Sequence, residues 1–393
     1  MSPHRRWIPA LVAHAVLVQA LTYAIRPGTS YALLEADASP AVLGVIGAVF
    51  AVPALALALP SGRLVDSWGE KRTAVVGGLL LVASAAVALT GTRSIPALIV
   101  ATLLLGLGHL FSVVSEQVLV ANRSQEGARD SAFGLYTLVV SIGQVIGPLF
   151  IAIPDSDGAG PALVVVFSAC LVMAAAVTVT GALLRGVPTV RSEDGAALPS
   201  PVALLRQKGV VRALLASSLS LASVDITLAY WPALGDERAL PAWVISAMLV
   251  ARSFSTMLSR AGLGAATRRL GRRRVMTLSL VGAAGAFALT GAPVPPVALV
   301  VVAAVYGLAI GASQPITMSW LTDLAPPGRR GMALSLRLAG NRIGQSAVPA
   351  AVGLLAASSG AVGVLLATAG ALVVASWSSR AIDDSTGSAG TVR

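Results

Sequence analysis

Gly62-Arg-Leu64-Val-Asp66-Ser-Trp-Gly69-Glu-Lys71-Arg72 separates two long apolar runs, and about 202 residues later Gly264-Ala-Ala-Thr-Arg268-Arg-Leu-Gly271-Arg-Arg273-Arg274 stands in the same setting. Both segments keep two glycines seven residues apart and a basic pair at their end. The correspondence spreads outward at an offset of about 201: Gly127, Arg129, Ala132 and Leu135 meet Gly328, Arg330, Ala333 and Leu336. Ile142, Gly143, Gln144 and Pro148 then meet Ile343, Gly344, Gln345 and Pro349, and Gly106 meets Gly307. Several motifs in one register imply that the chain is a duplication of two halves.

What separates these motifs is apolar. Of the 393 residues 56% are hydrophobic and only 11% charged, with a mean hydropathy of +0.82. A soluble domain carries roughly 25% charged residues and has no core large enough to hide the remainder. Ala, Val, Leu and Gly dominate, as in helices that pack closely in lipid. The net charge of +11 would suit a nucleic-acid partner if it lay on one face, but it falls in short clusters between apolar runs, so no nucleic acid is expected. The single Cys170 excludes a disulfide framework or a cysteine metal site.

A spanning helix needs about 20 apolar residues. Cutting the chain at its charged and Pro/Gly/Asp clusters predicts spans near 8–32, 41–60, 73–92, 96–120, 132–153 and 162–184. A second six follow near 210–233, 242–262, 274–291, 297–321, 332–355 and 361–379. The expected organisation is an N-terminal six-helix bundle (1–184), a polar cytoplasmic linker (185–209), a C-terminal six-helix bundle (210–380) and a cytoplasmic tail (381–393). With both termini on the cytoplasmic side of the inner membrane, only Arg93 and Arg238 of the 28 Lys and Arg fall outside, whereas the outer loops carry Glu35, Asp37, Asp155, Asp157, Asp236 and Glu237. This asymmetry is the positive-inside pattern. Trp7, Trp231 and Trp243, near span ends, read as interfacial anchors.

The segment Gly62–Arg72, placed between spans 2 and 3, resembles the loop signature G-x-L-x-D-x-x-G-x-[RK]-[RK] of the major facilitator superfamily. The resemblance covers nearly the whole chain. It implies two pseudo-symmetric six-helix bundles, all α, with a solute site between them and alternating access. In this reading Gly62, Asp66, Gly69, Lys71 and Arg72, with Gly264, Gly271 and Arg273 of the degenerate copy, form gating loops, with Arg268 standing where the first copy has Asp66. The glycines would allow a tight turn and close helix approach, and Asp66 would face the positive end of span 11 near Gly331. Asp323, ahead of Arg330-Gly331, reads as a gate or capping residue. In span 5, Gly134, Gly143, Gly147 and Pro148 resemble the antiporter signature G-x8-G-x3-G-P, although Leu149-Phe150 replaces its final glycine pair. In span 4 the family's proton antiporters place an Arg where this chain has Thr102, so that residue's coupling role does not carry over.

Ionisable side chains inside hydrocarbon cost several kcal/mol, about 2.5–3.5 on insertion scales, and mark sites by default. Six qualify: Arg26, Glu116, Asp225, Arg252, Arg337 and Arg342. With Gln19, Tyr23, Asn341 and Gln345 they are expected to line a polar pathway whose excess of Arg favours an anionic or hydrogen-bond-accepting solute. The same charges would equally serve as fixed pairs, Asp225 with Arg26 or Arg252 and Glu116 with Arg337. Glu116 is the candidate proton carrier, because a carboxylate in a cavity of changing dielectric titrates upward. His14 and His109 read as polar packing groups.

No phosphate loop, His-Glu-x-x-His pair or nucleophile–base pair is present in the sequence, so an enzyme is not expected, and neither is a cofactor or metal. The expected function is secondary active transport of a small molecule, as proton-coupled efflux, by a monomer embedded in lipid. Import of a nutrient or metabolite, and a non-transporting membrane sensor, stay open as alternatives.

Overall fold

The computed structural model describes residues 7–123, 129–156, 160–184, 204–324 and 330–380. Its first helices are α1 (Trp7–Glu35), α2 (Pro40–Trp68), α3 (Glu70–Thr90), α4 (Ile95–Arg123), α5 (Arg129–Ile146) and α6 (Leu163–Leu183). The second set is α7 (Val210–Glu237), α8 (Ala242–Leu270), α9 (Arg272–Thr290), α10 (Pro296–Ile310), α11 (Ser313–Leu324) and α12 (Arg330–Ser379). No strand occurs among the described residues; Pro154 and Pro161 form an isolated bridge. Nine helical segments among the described residues are long and apolar enough to cross a membrane, so the chain is a multi-pass membrane protein.

The elements depart from the expected spans where the sequence changes local physics. Span 5 is α-helical only to Ile146, then winds into a 3-10 turn over Gly147–Ala152, because Pro148 has no N–H and its ring crowds the preceding turn. Span 10 is likewise two helices, α10 and α11. The break at Gly311–Ala312 lies four residues before Pro315, where that ring would collide with the Gly311 carbonyl. Spans 11 and 12 run together as α12, joined at Gly360, whose φ of 62° only glycine adopts easily.

The expected loop after span 2 is a single residue. Nothing between Gly62 and Trp68 removes a backbone donor, so α2 continues through Gly62 and Asp66. Gly69, at φ 83°, then ends it, its N–H donating to the Val65 carbonyl at 2.8 Å. The second copy repeats this: α8 continues through Gly264 and Arg268, and Gly271 turns at φ 79°. The side chain of Asp66 and that of Asp323 lie outside the described side chains. Lys71, Arg72 and Arg273 are exposed, and among the described residues a Cβ at Gly264 would meet only Arg268.

By their contacts the residues form two units, Met1–Glu193 with Leu228–Val250, and Asp194–Thr227 with Ala251–Arg393. In the first, α3 packs on α4 and α6, and α1 packs on α5 and α6; in the second, α9 packs on α10 and α12. The duplication is visible in atomic detail inside each. A Cβ on Gly106 would strike the Phe50 carbonyl oxygen, and one on Gly307 would strike the Arg252 carbonyl oxygen. Phe50 and Arg252 are 202 positions apart, so the same glycine-to-backbone crossing joins α2 to α4 and α8 to α10. Gly143 and Gly147 press in the same way on α1, at the Val16 and Ala20 carbonyls.

Trp231 is fully buried, unlike the expected anchor, whereas Trp243 is 54% exposed. Cys170 is buried on α6.

Candidate functional site

The ionisable residues expected in the membrane are buried: Glu116 is fully enclosed, and Arg26, Asp225, Arg252 and Arg337 are each less than a tenth exposed. Gln19, Tyr23, Asn341 and Gln345 are buried with them, while Arg342 is partly exposed. Each unit gathers its own polar cluster.

In the first unit the cluster is a ladder between α1 and α4. On α4, Thr102, His109 and Glu116 recur every seven residues and so lie along one face. On α1, Arg26, Gln19 and His14 run the opposite way along the chain. At one end Arg26 and Thr102 line the same small cavity, together with Thr29, Ser30, Leu228 and Ala229, and the Arg26 guanidinium lies 4.3 Å from the centroid of the Phe50 ring. In the middle, Gln19 Nε2 donates to His109 Nε2 at 3.4 Å, Gln144 Nε2 donates to Gln19 Oε1 at 3.4 Å, and His109 packs on Phe50. At the far end His14 Nδ1 donates to Glu116 Oε1 at 2.6 Å, and the Tyr136 hydroxyl donates to Glu116 Oε2 at 2.7 Å. From Thr102 to Glu116 the ladder rises about 20 Å.

The Glu116 end is the driest. Leu11, Ala15, Leu119, Val120 and Val139 form an apolar cluster around Tyr136, and both His14 and Glu116 have no exposed area. A bare carboxylate there would be costly; two donors, one on each oxygen, offset that. His14 Nε2 has no partner among the described residues, while Nδ1 is bound to Glu116. The trio is a buried carboxylate held by two hydrogen-bond donors.

The second unit carries a different cluster. Gln345 Nε2 donates to Asp225 Oδ2 at 2.8 Å, and Arg342 Nη1 donates to Gln345 Oε1 at 2.9 Å. Arg252 Nη2 donates to the Ser253 hydroxyl at 2.9 Å, and Ser223 shares a 2.7 Å hydrogen bond with Tyr306. Arg337 and Asn341, one turn apart on α12, both converge on the side-chain oxygen of Gln314, the second residue of α11. Gln314 in turn donates from Nε2 to the Ser217 carbonyl at 2.9 Å.

Charge marks Glu116 and Arg337 in the sequence, but the groups that hold them carry no such mark: no charge singles out Tyr136 or Gln314, and His14 and His109 read as packing. A Gln-Pro pair inside an apolar span, Gln314-Pro315, was the available signal for one of them; His14 and Tyr136 carry no local signal, since their partner is far away in sequence. No group of three or more His, Cys, Asp or Glu that could hold a metal occurs among the described residues.

The sequence profile of the Major Facilitator Superfamily matches residues 12–259 and again 213–385. Among solved structures, a variant of the nucleoside transporter NupG superposes with a TM-score of 0.80 at 17% identity, over 95% of this chain and 99% of that one. A D-xylose-proton symporter gives 0.77 at 12% identity over 94% and 97%. The human organic anion transporter MFSD10 gives 0.64 at 18% over 96% and 100%. No curated protein sequence matches. At these identities the structural likenesses speak for the fold.

Proposed function

The chain belongs to the Major Facilitator Superfamily, and from that premise we propose that it is a proton-coupled exporter of a small organic solute across the cytoplasmic membrane. Membership makes it a membrane transporter rather than an enzyme; the coupling ion and the direction are the proposed part. The observation that carries the coupling is the buried Glu116 carboxylate held by His14 and Tyr136. A carrier needs a group that binds a proton on one side of the membrane and releases it on the other, in an environment dry enough for the charge state to alter packing.

His14 Nε2 and Glu116 supply that group. With Glu116 ionised and His14 doubly protonated the site is neutral overall; with His14 neutral it holds one negative charge. The energetic difference between these states in a dry pocket is what would bias alternating access. Thr102, in the place of the span 4 Arg, leaves this site as the coupling candidate of the first unit.

Export is favoured by the span 5 segment. Gly143, Gly147 and Pro148 bring α5 against the backbone of α1 and turn it into the 3-10 segment, the close contact that the antiporter-like signature implies. Uptake by symport is the second reading, favoured by the likeness to a D-xylose-proton symporter.

The test is flux of a labelled compound library into inverted and right-side-out vesicles, with and without an uncoupler. Export by antiport predicts accumulation in inverted vesicles that the uncoupler collapses. Glu116→Gln should abolish gradient-driven accumulation while leaving solute exchange at equilibrium. Uncoupler-insensitive accumulation would sink proton coupling, and accumulation confined to right-side-out vesicles would reverse the direction.

A further inference from the structure

We infer that Gln314, Arg337, Asn341 and Ser217 form a subsite for the carboxylate of the transported solute, one that also carries a hydrogen-bond donor close to its acid group. The inference rests on the carrier reading above and names the chemical class of its cargo.

Arg337 is 8% exposed, and among the described residues no carboxylate lies within ion-pair distance of it. Its Nη2 donates to the side-chain and backbone oxygens of Gln314. These are dipoles, not a counter-ion, and a guanidinium so deeply placed keeps most of its unmet demand for an anion. Its Nε has no partner. The break at Gly311–Ala312 puts Gln314 on the first turn of α11, where its carbonyl and amide both turn to Arg337.

The neighbouring groups specify more than charge. Gln314 is saturated on its oxygen, which accepts from Arg337 Nη2 and Asn341 Nδ2, and its Nε2 is spent on the Ser217 carbonyl. Asn341 Oδ1 and the Ser217 hydroxyl, both buried, have no partner. The cluster thus offers one cationic donor, one amide acceptor and one hydroxyl. A single guanidinium matches a single negative charge, and a carboxylate accepts from Nε while an adjacent O–H or N–H on the same solute donates to Asn341 Oδ1. A neutral solute would leave the guanidinium without an anion, and a base would add like charge.

The experiment uses the purified full-length protein and a library in which each carboxylic acid is paired with its primary amide, with benzoate and salicylate included. Binding is read by melting-temperature shift and calorimetry. Acids are expected to bind and their amides not to. Salicylate, whose hydroxyl adjoins its carboxylate, should bind better than benzoate. Arg337→Gln should weaken acid binding at least tenfold, Arg337→Lys should restore part of it, and Asn341→Leu should reduce salicylate to the level of benzoate. If Arg337→Gln does not fold, the Lys and Leu variants carry the test. Binding by amides or bases alone, failure of every acid to bind, or acid affinity in Arg337→Gln within twofold of wild type would overturn the subsite. Every compound that binds is then tested for counterflow in proteoliposomes. Arg337-dependent acid binding without counterflow keeps the subsite and ends the carrier reading; counterflow of neutral solutes unchanged by Arg337→Gln does the reverse.

Discussion

At the scale of single residues, the most consequential contact is a carboxylate with both oxygens occupied far from water. Tyr136→Phe removes one donor from Glu116, together with the hydroxyl's hydrogen bond to Gln117, and should cost about 1.5–3 kcal/mol, the range for a hydrogen bond to a charged group. His14→Leu leaves the carboxylate with one donor and should cost about 3–5 kcal/mol, as when one partner of a buried pair is removed. The double variant His14→Leu/Glu116→Leu has no charge left to solvate and should recover most of that loss. Reversible unfolding in mixed micelles reads these three and the single Glu116→Leu, and a double variant as unstable as the sum of its two singles would show that the pair is held by packing rather than by charge. Glu116 was legible in the sequence because a charge in an apolar run has no cheap explanation. His14 was not, because its meaning lies in a partner 102 positions away.

The elements were legible where hydrophobicity alone sets them, and less so where one residue redirects the backbone. Eleven-residue segments with spaced glycines read as loops, yet a glycine keeps its N–H and a helix passes through it; Gly62 and Gly264 lie inside α2 and α8, and only Gly69 and Gly271 turn. Their φ values of 83° and 79° come with ψ of 157° and 150°, a region essentially confined to glycine that costs a residue with a Cβ about 1–3 kcal/mol, so Gly69→Ala and Gly271→Ala should each destabilise by that amount, and Asn, which favours only the left-handed helical region, by no less. Glycines that serve packing behave differently. Gly106→Ala and Gly307→Ala place a methyl on a backbone carbonyl that cannot swing away and should cost about 1–3 kcal/mol as overpacking. Gly370→Ala, with nothing within 4 Å in α12, should instead stabilise by about 1 kcal/mol through helix propensity. Melting temperatures that fall for Gly370→Ala as much as for Gly106→Ala would refute the distinction. The repeat had marked Gly106 and Gly307 as equivalent; the reason, a carbonyl at Phe50 and another at Arg252, needed coordinates.

At the scale of the molecule, the sequence carried the duplication and the charge asymmetry, and the second of these makes a prediction about which face is which. Asp37 follows α1, Asp155 lies ahead of α6, and Asp236 and Glu237 end α7, whereas the turns at Gly69 and Gly271 are flanked by Lys71, Arg72, Arg272, Arg273 and Arg274. Basic residues are retained on the cytoplasmic side during insertion, so the acidic turns should face outward. The chain is suited to a direct test, because its only cysteine, Cys170, is buried on α6 and should not react with a membrane-impermeant maleimide. Asp155 and Asp236 are exposed, as are Arg269 and Arg274, so a cysteine at any of these positions can react once the reagent reaches it. Asp155→Cys and Asp236→Cys should label in intact cells. Arg269→Cys and Arg274→Cys should label only after permeabilisation. The opposite pattern would invert the molecule in the membrane, and with it the vesicle orientation in which export is to be sought.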